Sequence, residues 1–141
     1  MYIDTVTIFT RSGNEWYPTL VAGADFNANR AAILARYGEN SKDRSELHLR
    51  INSGNVAGKP FLQPKVWQAL SAAEKTQSLS MQEGDFFILG DFTSLAYQGT
   101  VSDNVYAEGF YQYMNHSYDD VYLITSVARY SVIPHIEVMG K

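Results

Sequence analysis

The stretch Tyr118 to Lys141, YDDVYLITSVARYSVIPHIEVMGK, constrains the fold more than any other part of the chain. Val121 to Ala128 and Ile136 to Met139 are short runs rich in β-branched residues, and only the tight corner Arg129 to Pro134 lies between them. Two strands joined so closely pair antiparallel, because a parallel pair needs a crossover of a dozen or more residues. The opening segment YIDTVTIFTR mirrors this, entering a strand within a residue or two of Met1. Its Thr5 and Thr7 alternate with Val6 and Ile8, so Ile3 to Thr10 reads as a strand. Ser12-Gly13-Asn14 is a turn and Glu15 to Val21 its partner strand, which makes an opening hairpin. Pro18 places that second strand at an edge or a bulge. Gly23 is expected to end it, and Ala24 to Asn27 begins another short extended piece.

Between these ends the pattern stays short and broken. Asn29 to Tyr37 (NRAAILARY) has helical propensity in its alanines, but Ile33 and Tyr37 suit either form. Gly38 to Ser45 is polar and carries both charge signs, as an exposed loop does. Glu46 to Ile51 alternates, with Leu47, Leu49 and Ile51 on one face and Glu46, His48 and Arg50 on a solvated one. Asn52 to Lys59 is a loop by composition. Pro64 to Leu70 starts as a helix would, with Leu62, Val66, Trp67 and Leu70 on a buried face. Ser71-Ala72-Ala73-Glu74 matches a capping box, but no apolar run follows, so no helix is assigned there. Phe86 to Leu89 is a continuous apolar strand expected to be deeply buried. Phe92 to Asn104 is loop-like, and Tyr106, Phe110, Tyr113 and Met114 fall on one face of a short helix.

Such helices are too few and too irregular to be crossovers of a parallel sheet. The expected fold is mainly β: a small antiparallel β-barrel or sandwich with one or two short helical inserts, one domain over residues 1–141. A chain of 141 residues can bury ~68–70% of the surface its unfolded form exposes, so it needs no staple to fold.

Composition narrows the chemistry. The absence of cysteine excludes disulfides, thiol catalysis and cysteine-ligated zinc. Without a basic opening segment or a long apolar run, neither signal peptide nor membrane span is expected, and the place of synthesis is the cytoplasm. The net charge of −4 is dispersed, which argues against nucleic acid as the primary ligand. Ten tyrosines suit half-wet surfaces and subunit contacts, though they also reflect strand propensity.

No nucleophile elbow, phosphate loop, dinucleotide fingerprint or zincin motif occurs. His48 reads as a solvated strand residue and His135, after Pro134, as structural. His116 stands near Asp119 and Asp120, a spacing open to a divalent metal. An aspartate at a turn more commonly caps backbone amides, and no third ligand is nearby, so no metal site is assigned. No catalytic residue or cofactor is expected, and the chain is not read as an enzyme.

Five segments, TVTIFTR, EWYPTLVAGADF, KPFLQPKVW, MQEGDFFILGDF and the closing YDDVYLITSVARYSVIPHIEVMGK, carry a resemblance over most of the chain. The chain resembles a family of small minor capsid or head–tail connector proteins of tailed phages and prophages. The resemblance thins at residues 27–45 and 94–104. It also departs where the family has a longer, glycine-containing link between its closing strands and this chain has Arg129 to Pro134. The resemblance implies a structural virion protein of the neck, a head-closure (stopper) ring assembled in the host cytoplasm. Its implied partners are copies of itself in a cyclic homo-oligomer, the adaptor and portal above, the tail proteins below, and packaged DNA passing without sequence-specific binding. No membrane partner is implied. A tail-completion or tail-terminator ring is the nearest alternative. An oligonucleotide-binding barrel is a third, weakened because Phe86-Phe87 and Tyr111 to Tyr113 lack basic neighbours.

Long loops on a small barrel are the natural places for partner contact. The candidate residues are Gly38, Lys42 and Arg44 in the first loop, Asn52, Asn55 and Lys59 in the second, and Phe92, Tyr97 and Val101 in the third.

Overall fold

The computed structural model describes residues 1–38 and 42–141. The strands are β1 (Asp4–Ser12), β2 (Glu15–Asn27), β3 (Ser45–Arg50), β4 (Asn55–Val56), β5 (Lys59–Pro60), β6 (Phe86–Leu89), β7 (Val101–Ser102), β8 (Val121–Tyr130) and β9 (His135–Gly140). The α-helices are α1 (Arg30–Tyr37), α2 (Pro64–Gln68), α3 (Ala72–Thr76) and α4 (Phe110–Ser117). Six strands close on themselves in the order β1-β6-β8-β9-β3-β2, with β2 returning to β1, and every pairing is antiparallel. The fold is therefore a small antiparallel β-barrel, as the strand pattern predicts. β7 adds to the outer edge of β2, and β4 and β5 form a separate small hairpin.

The opening hairpin turns on Gly13, whose φ of +60° suits the first central position of a type II′ turn. From the Ser12–Glu15 pair, hydrogen-bonded and non-hydrogen-bonded pairs alternate along the ladder. Pro18 opposite Phe9 then falls on a non-hydrogen-bonded position, and its missing N–H breaks nothing. Its carbonyl faces the outer edge, where Lys59 Nζ lies at 3.4 Å. The predicted edge position of Pro18 is thus observed. Gly23 does not end the strand, contrary to expectation. β2 runs on to Asn27 through a one-residue register shift between the Val6–Val21 and Asp4–Ala24 pairs, a bulge that lets it leave β1 and pair with β3.

Two packed clusters hold the molecule. Val6, Ile8, Val21, Leu47, Leu49, Phe87, Ile124, Ile136 and Val138 fill the barrel interior. Phe9, Trp16, Phe86, Ile88, Val101, Phe110, Met114 and Val121 form a second cluster outside it, under α4. β6 serves both, with Phe87 inward and Phe86 and Ile88 outward, which explains its unbroken apolar run. Phe9 stacks on Phe86 at 5.0 Å and meets Phe110 edge-on at 5.0 Å.

The helical regions hold three corrections. The capping box at Ser71 is real. Ser71 accepts the Glu74 amide, the Glu74 carboxylate accepts the Ser71 amide, and α3 follows. Its buried side chain is Lys75, which donates to Ser12 Oγ at 2.9 Å and lies over the Trp67 ring. Val66 is 54% exposed rather than buried, because α2 spans only Pro64–Gln68 and Leu62 lies outside it. Tyr106 likewise precedes α4, whose buried residues are Phe110 and Met114.

Two buried or half-buried carboxylates act as struts. Asp103 Oδ1 accepts the Trp16 indole N–H at 3.0 Å and the Phe110 amide at 2.9 Å, while Oδ2 lies 3.3 Å from Arg11. Asp85 is buried and accepts the amides of Arg11 and Gln82.

Candidate functional site

The predicted contact loops are far more committed to the barrel than their composition suggests. Gly38 caps α1 with φ +101°, its amide bonded to Leu34 O; the rest of that loop at 39–41 lies outside the described residues. Lys42 and Arg44 are exposed and line a shallow cleft with Ala28, Arg30 and Tyr122. The Arg44 guanidinium sits 5.3 Å from the Tyr122 ring centroid, and its amide donates to Gly140 O at 2.7 Å. Asn52 and Asn55 exchange both backbone hydrogen bonds across Ser53-Gly54, so the second loop is a pair of tight turns rather than a free strap. Lys59 is half-buried and donates to Pro18 O and Thr19 Oγ1. Burial pulls its pKa below the usual lysine value.

The third loop divides. Phe92 is half-buried against Tyr118 at 4.9 Å, and Val101 is only 4% exposed within the outer cluster. Val101 has almost no exposed surface, because pairing of β7 with β2 turns its side chain into the core. Tyr97 is 78% exposed. It lines a cleft of about 410 Å³ together with Leu95, Val105 and Tyr106, and Val105 is also exposed.

A second exposed apolar surface was not among the predicted residues. The β8–β9 hairpin turns at residues 131–134 and carries Val132 and Ile133 at its tip, 95% and 76% exposed. None of the tip residues lines the Tyr97 cleft. The sequence signal was present, since two adjacent β-branched apolar residues in a strand corner have no neighbour to pack on. The tight-corner reading passed over it.

The polar face of β3 and β9 gathers a group of titratable side chains. Glu46 and His48 lie two residues apart on β3, as His135 and Glu137 do on β9, so each pair shares a face. Register sets His48 opposite Glu137 and His135 opposite Arg50. His48 Nε2 stands 2.7 Å from Glu46 Oε1 and 3.6 Å from Glu137 Oε1; His135 Nε2 stands 3.0 Å from Glu137 Oε2. The His48 and His135 rings are 5.5 Å apart, and Tyr130 stacks on His135 at 4.8 Å. Arg36 of α1 reaches Glu46 Oε1 at 2.5 Å, and α1 presses Ile33 into the barrel wall. Glu46 is consequently 4% exposed, and the side chain of His48 keeps only 22% exposure. The face predicted as solvated is thus buried at Glu46 and half-buried at His48, while Arg50 stays exposed as expected. The Ile133 carbonyl and the Glu137 carboxylate favour the imidazolium of His135 and raise its pKa.

His116 does not meet Asp119 or Asp120 in any contact the structure records. Its Nδ1 lies 3.1 Å from Glu108 Oε1 on an exposed surface. Among the described residues, no helix is long and apolar enough to cross a membrane.

No curated protein and no solved structure matches the chain. A match over residues 1–141, the whole sequence, places the chain in the family described as "Family of unknown function (DUF6751)".

Proposed function

We propose that the protein is a ring-forming structural subunit of a tailed-phage neck, acting in head closure between the portal–adaptor and the tail. The observation that supports the reading is the presence of two separate surfaces with exposed apolar side chains on one small barrel: the Val132–Ile133 tip of the β8–β9 hairpin, and the mixed polar and apolar cleft flanked by Tyr97 and Val105. A cyclic homo-oligomer is built head to tail, so each subunit needs two different patches that complement each other. The barrel interior is filled by side chains, which leaves its outer surface to do the work. The net charge of −4 suits a ring through which DNA slides without being held, since tight phosphate contact requires clustered basic side chains. The sequence resemblance to connector proteins favours a place in the neck, and the fold is compatible with it.

The test is electron microscopy of lysates from a phage whose copy of this gene is disrupted. Free tails of normal length beside tail-less heads that have lost their DNA are the expected result. DNA-filled heads beside tails of abnormal length would move the protein to the tail-completion position. Normal infectious particles would overturn the neck assignment.

A further inference from the structure

We propose that Glu46, His48 and Glu137 form a binding site for a first-row divalent transition cation of the zinc type, with the fourth position open to water. The site is independent of the neck assignment. The ligand atoms of Glu46, His48 and Glu137 all lie within 4.8 Å of one another. In a tetrahedral shell with bonds of about 2.0–2.1 Å, neighbouring ligand atoms are roughly 3.3 Å apart. The observed separations of 2.7 Å and 3.6 Å from His48 Nε2 straddle that value, so small side-chain rotations bring these atoms into a common shell.

Three further features suit a cation. The donors come from two paired strands whose backbone hydrogen bonds fix them: Glu46 pairs with Met139 and His48 with Glu137 across the β3–β9 ladder. A site on such rigid elements is held in place before an ion arrives. The donor set mixes imidazole with carboxylate, which suits zinc and its neighbours better than calcium or magnesium, whose shells are all oxygen. The side chains of His48, His135 and Glu137 retain 22%, 20% and 17% of their exposure, which leaves the ion a way in, while buried Glu46 forms the floor.

The competing arrangement is a proton-and-arginine network. In it, His48 donates to Glu46 and Arg36 neutralises the same oxygen. Among the described residues, the charges facing the site include the carboxylates of Glu46 and Glu137, the imidazoles of His48 and His135, Arg36 from α1, and Arg50, which lies opposite His135 in the ladder and over the Tyr2 ring. A dication balances the two carboxylates without help from Arg36. The Arg36 side chain is 59% exposed and is able to swing away when the ion takes Glu46 Oε1. Bound there, the ion ties β9 to β3 from the outside.

The test uses the full chain, stripped with chelator and titrated with zinc chloride by calorimetry, with cobalt(II) absorption in parallel. One zinc ion per chain, proton release on binding and visible bands of four-coordinate cobalt are expected. His48→Ala and Glu137→Gln should each weaken zinc at least about tenfold, on the scale set by loss of a metal site's supporting groups, with unchanged circular dichroism. If His48→Ala does not fold, Glu137→Gln carries the comparison alone. His116→Ala should bind as the parent does. Absence of saturable zinc binding, or binding equally tight in Glu137→Gln and the parent, would overturn the proposal.

Discussion

Asp103 and Trp16 meet through a single hydrogen bond of 3.0 Å that ties the loop after β7 to the start of β2. The same carboxylate oxygen holds the first amide of α4, so one side chain fixes the outer aromatic cluster and the helix that covers it. Asp103→Ala should lower stability by about 2–3 kcal/mol, the scale for losing hydrogen bonds to a charged acceptor, as read by urea denaturation. Accepting from Phe110 and then from Trp16 holds the Asp103 pKa below the usual carboxylate range. Its contribution is therefore complete above the unfolded-state value of about 4 and is lost as pH falls through the folded one. An Ala variant as stable as the parent at pH 7 would contradict this.

Asp85 has the opposite sign. Burial pushes its pKa up to about 7, against the lowering effect of the Arg11 and Gln82 amides. The folded state binds this proton more tightly than the unfolded chain does. The contribution is present at acid pH and is lost as pH rises from the ordinary aspartate value towards 7, at about 1.4 kcal/mol per unit of difference. Asp85→Asn places an N–H₂ against one of the two amides and should cost about 1–3 kcal/mol at pH 5. That deficit should shrink by pH 8. Unfolding curves of both proteins at the two pH values measure it, and a constant deficit would show that Asp85 stays ionised throughout.

Gly140 sits where β9, β8 and β3 converge. A Cβ there would stand 2.9 Å from Ser45 Oγ, 3.0 Å from Tyr122 Cβ and 3.3 Å from the Leu123 carbonyl. Ser45 is able to rotate, but the other two contacts belong to the packed barrel. Gly140→Ala should cost about 1–3 kcal/mol, the usual penalty for overfilling a core. A thermal melt within a degree of the parent would contradict the close packing at this corner.

The hairpin tip allows folding and assembly to be separated. Val132→Glu and Ile133→Glu alter side chains that are almost fully exposed, so stability should stay within about 0.5 kcal/mol of the parent. In the phage complementation assay the double variant should fail to restore DNA-filled, tailed particles. Full complementation would remove the tip from the subunit interface.

The barrel was legible because its strands write their burial into alternation. Val6 and Ile8, or Leu47 and Leu49, reveal an inward face without any knowledge of their partners. Partners and covers are another matter. Glu46 and His48 read as solvated because the side chains around them, Arg36 on α1 beside Glu46 and Glu137 and His135 on β9 beside His48, leave no trace in β3's own pattern. His48 and Glu137 are neighbours through a register that neither strand encodes locally. Lys75 hid α3, since a buried lysine stem over Trp67 does not register as an apolar face. Gly23 read as a stop because composition does not distinguish a bulge from a break. The apolar tip was visible in the sequence as Val132-Ile133, but only the exposure of both side chains shows that nothing in the described chain covers them.

β9 lies between β8 and β3, bonded on both sides, and this sets an order of events during synthesis. Until residues 135–140 have emerged from the ribosome, β3 and β8 each keep a bare edge, and the interior residues on them face water or other chains. Bare edges are templates for unwanted pairing. A nascent chain stalled ahead of His135 is thus one open sheet, β8-β6-β1-β2-β3, bare along both outer strands, and its last strand arrives as the seam that ends its exposure to its neighbours.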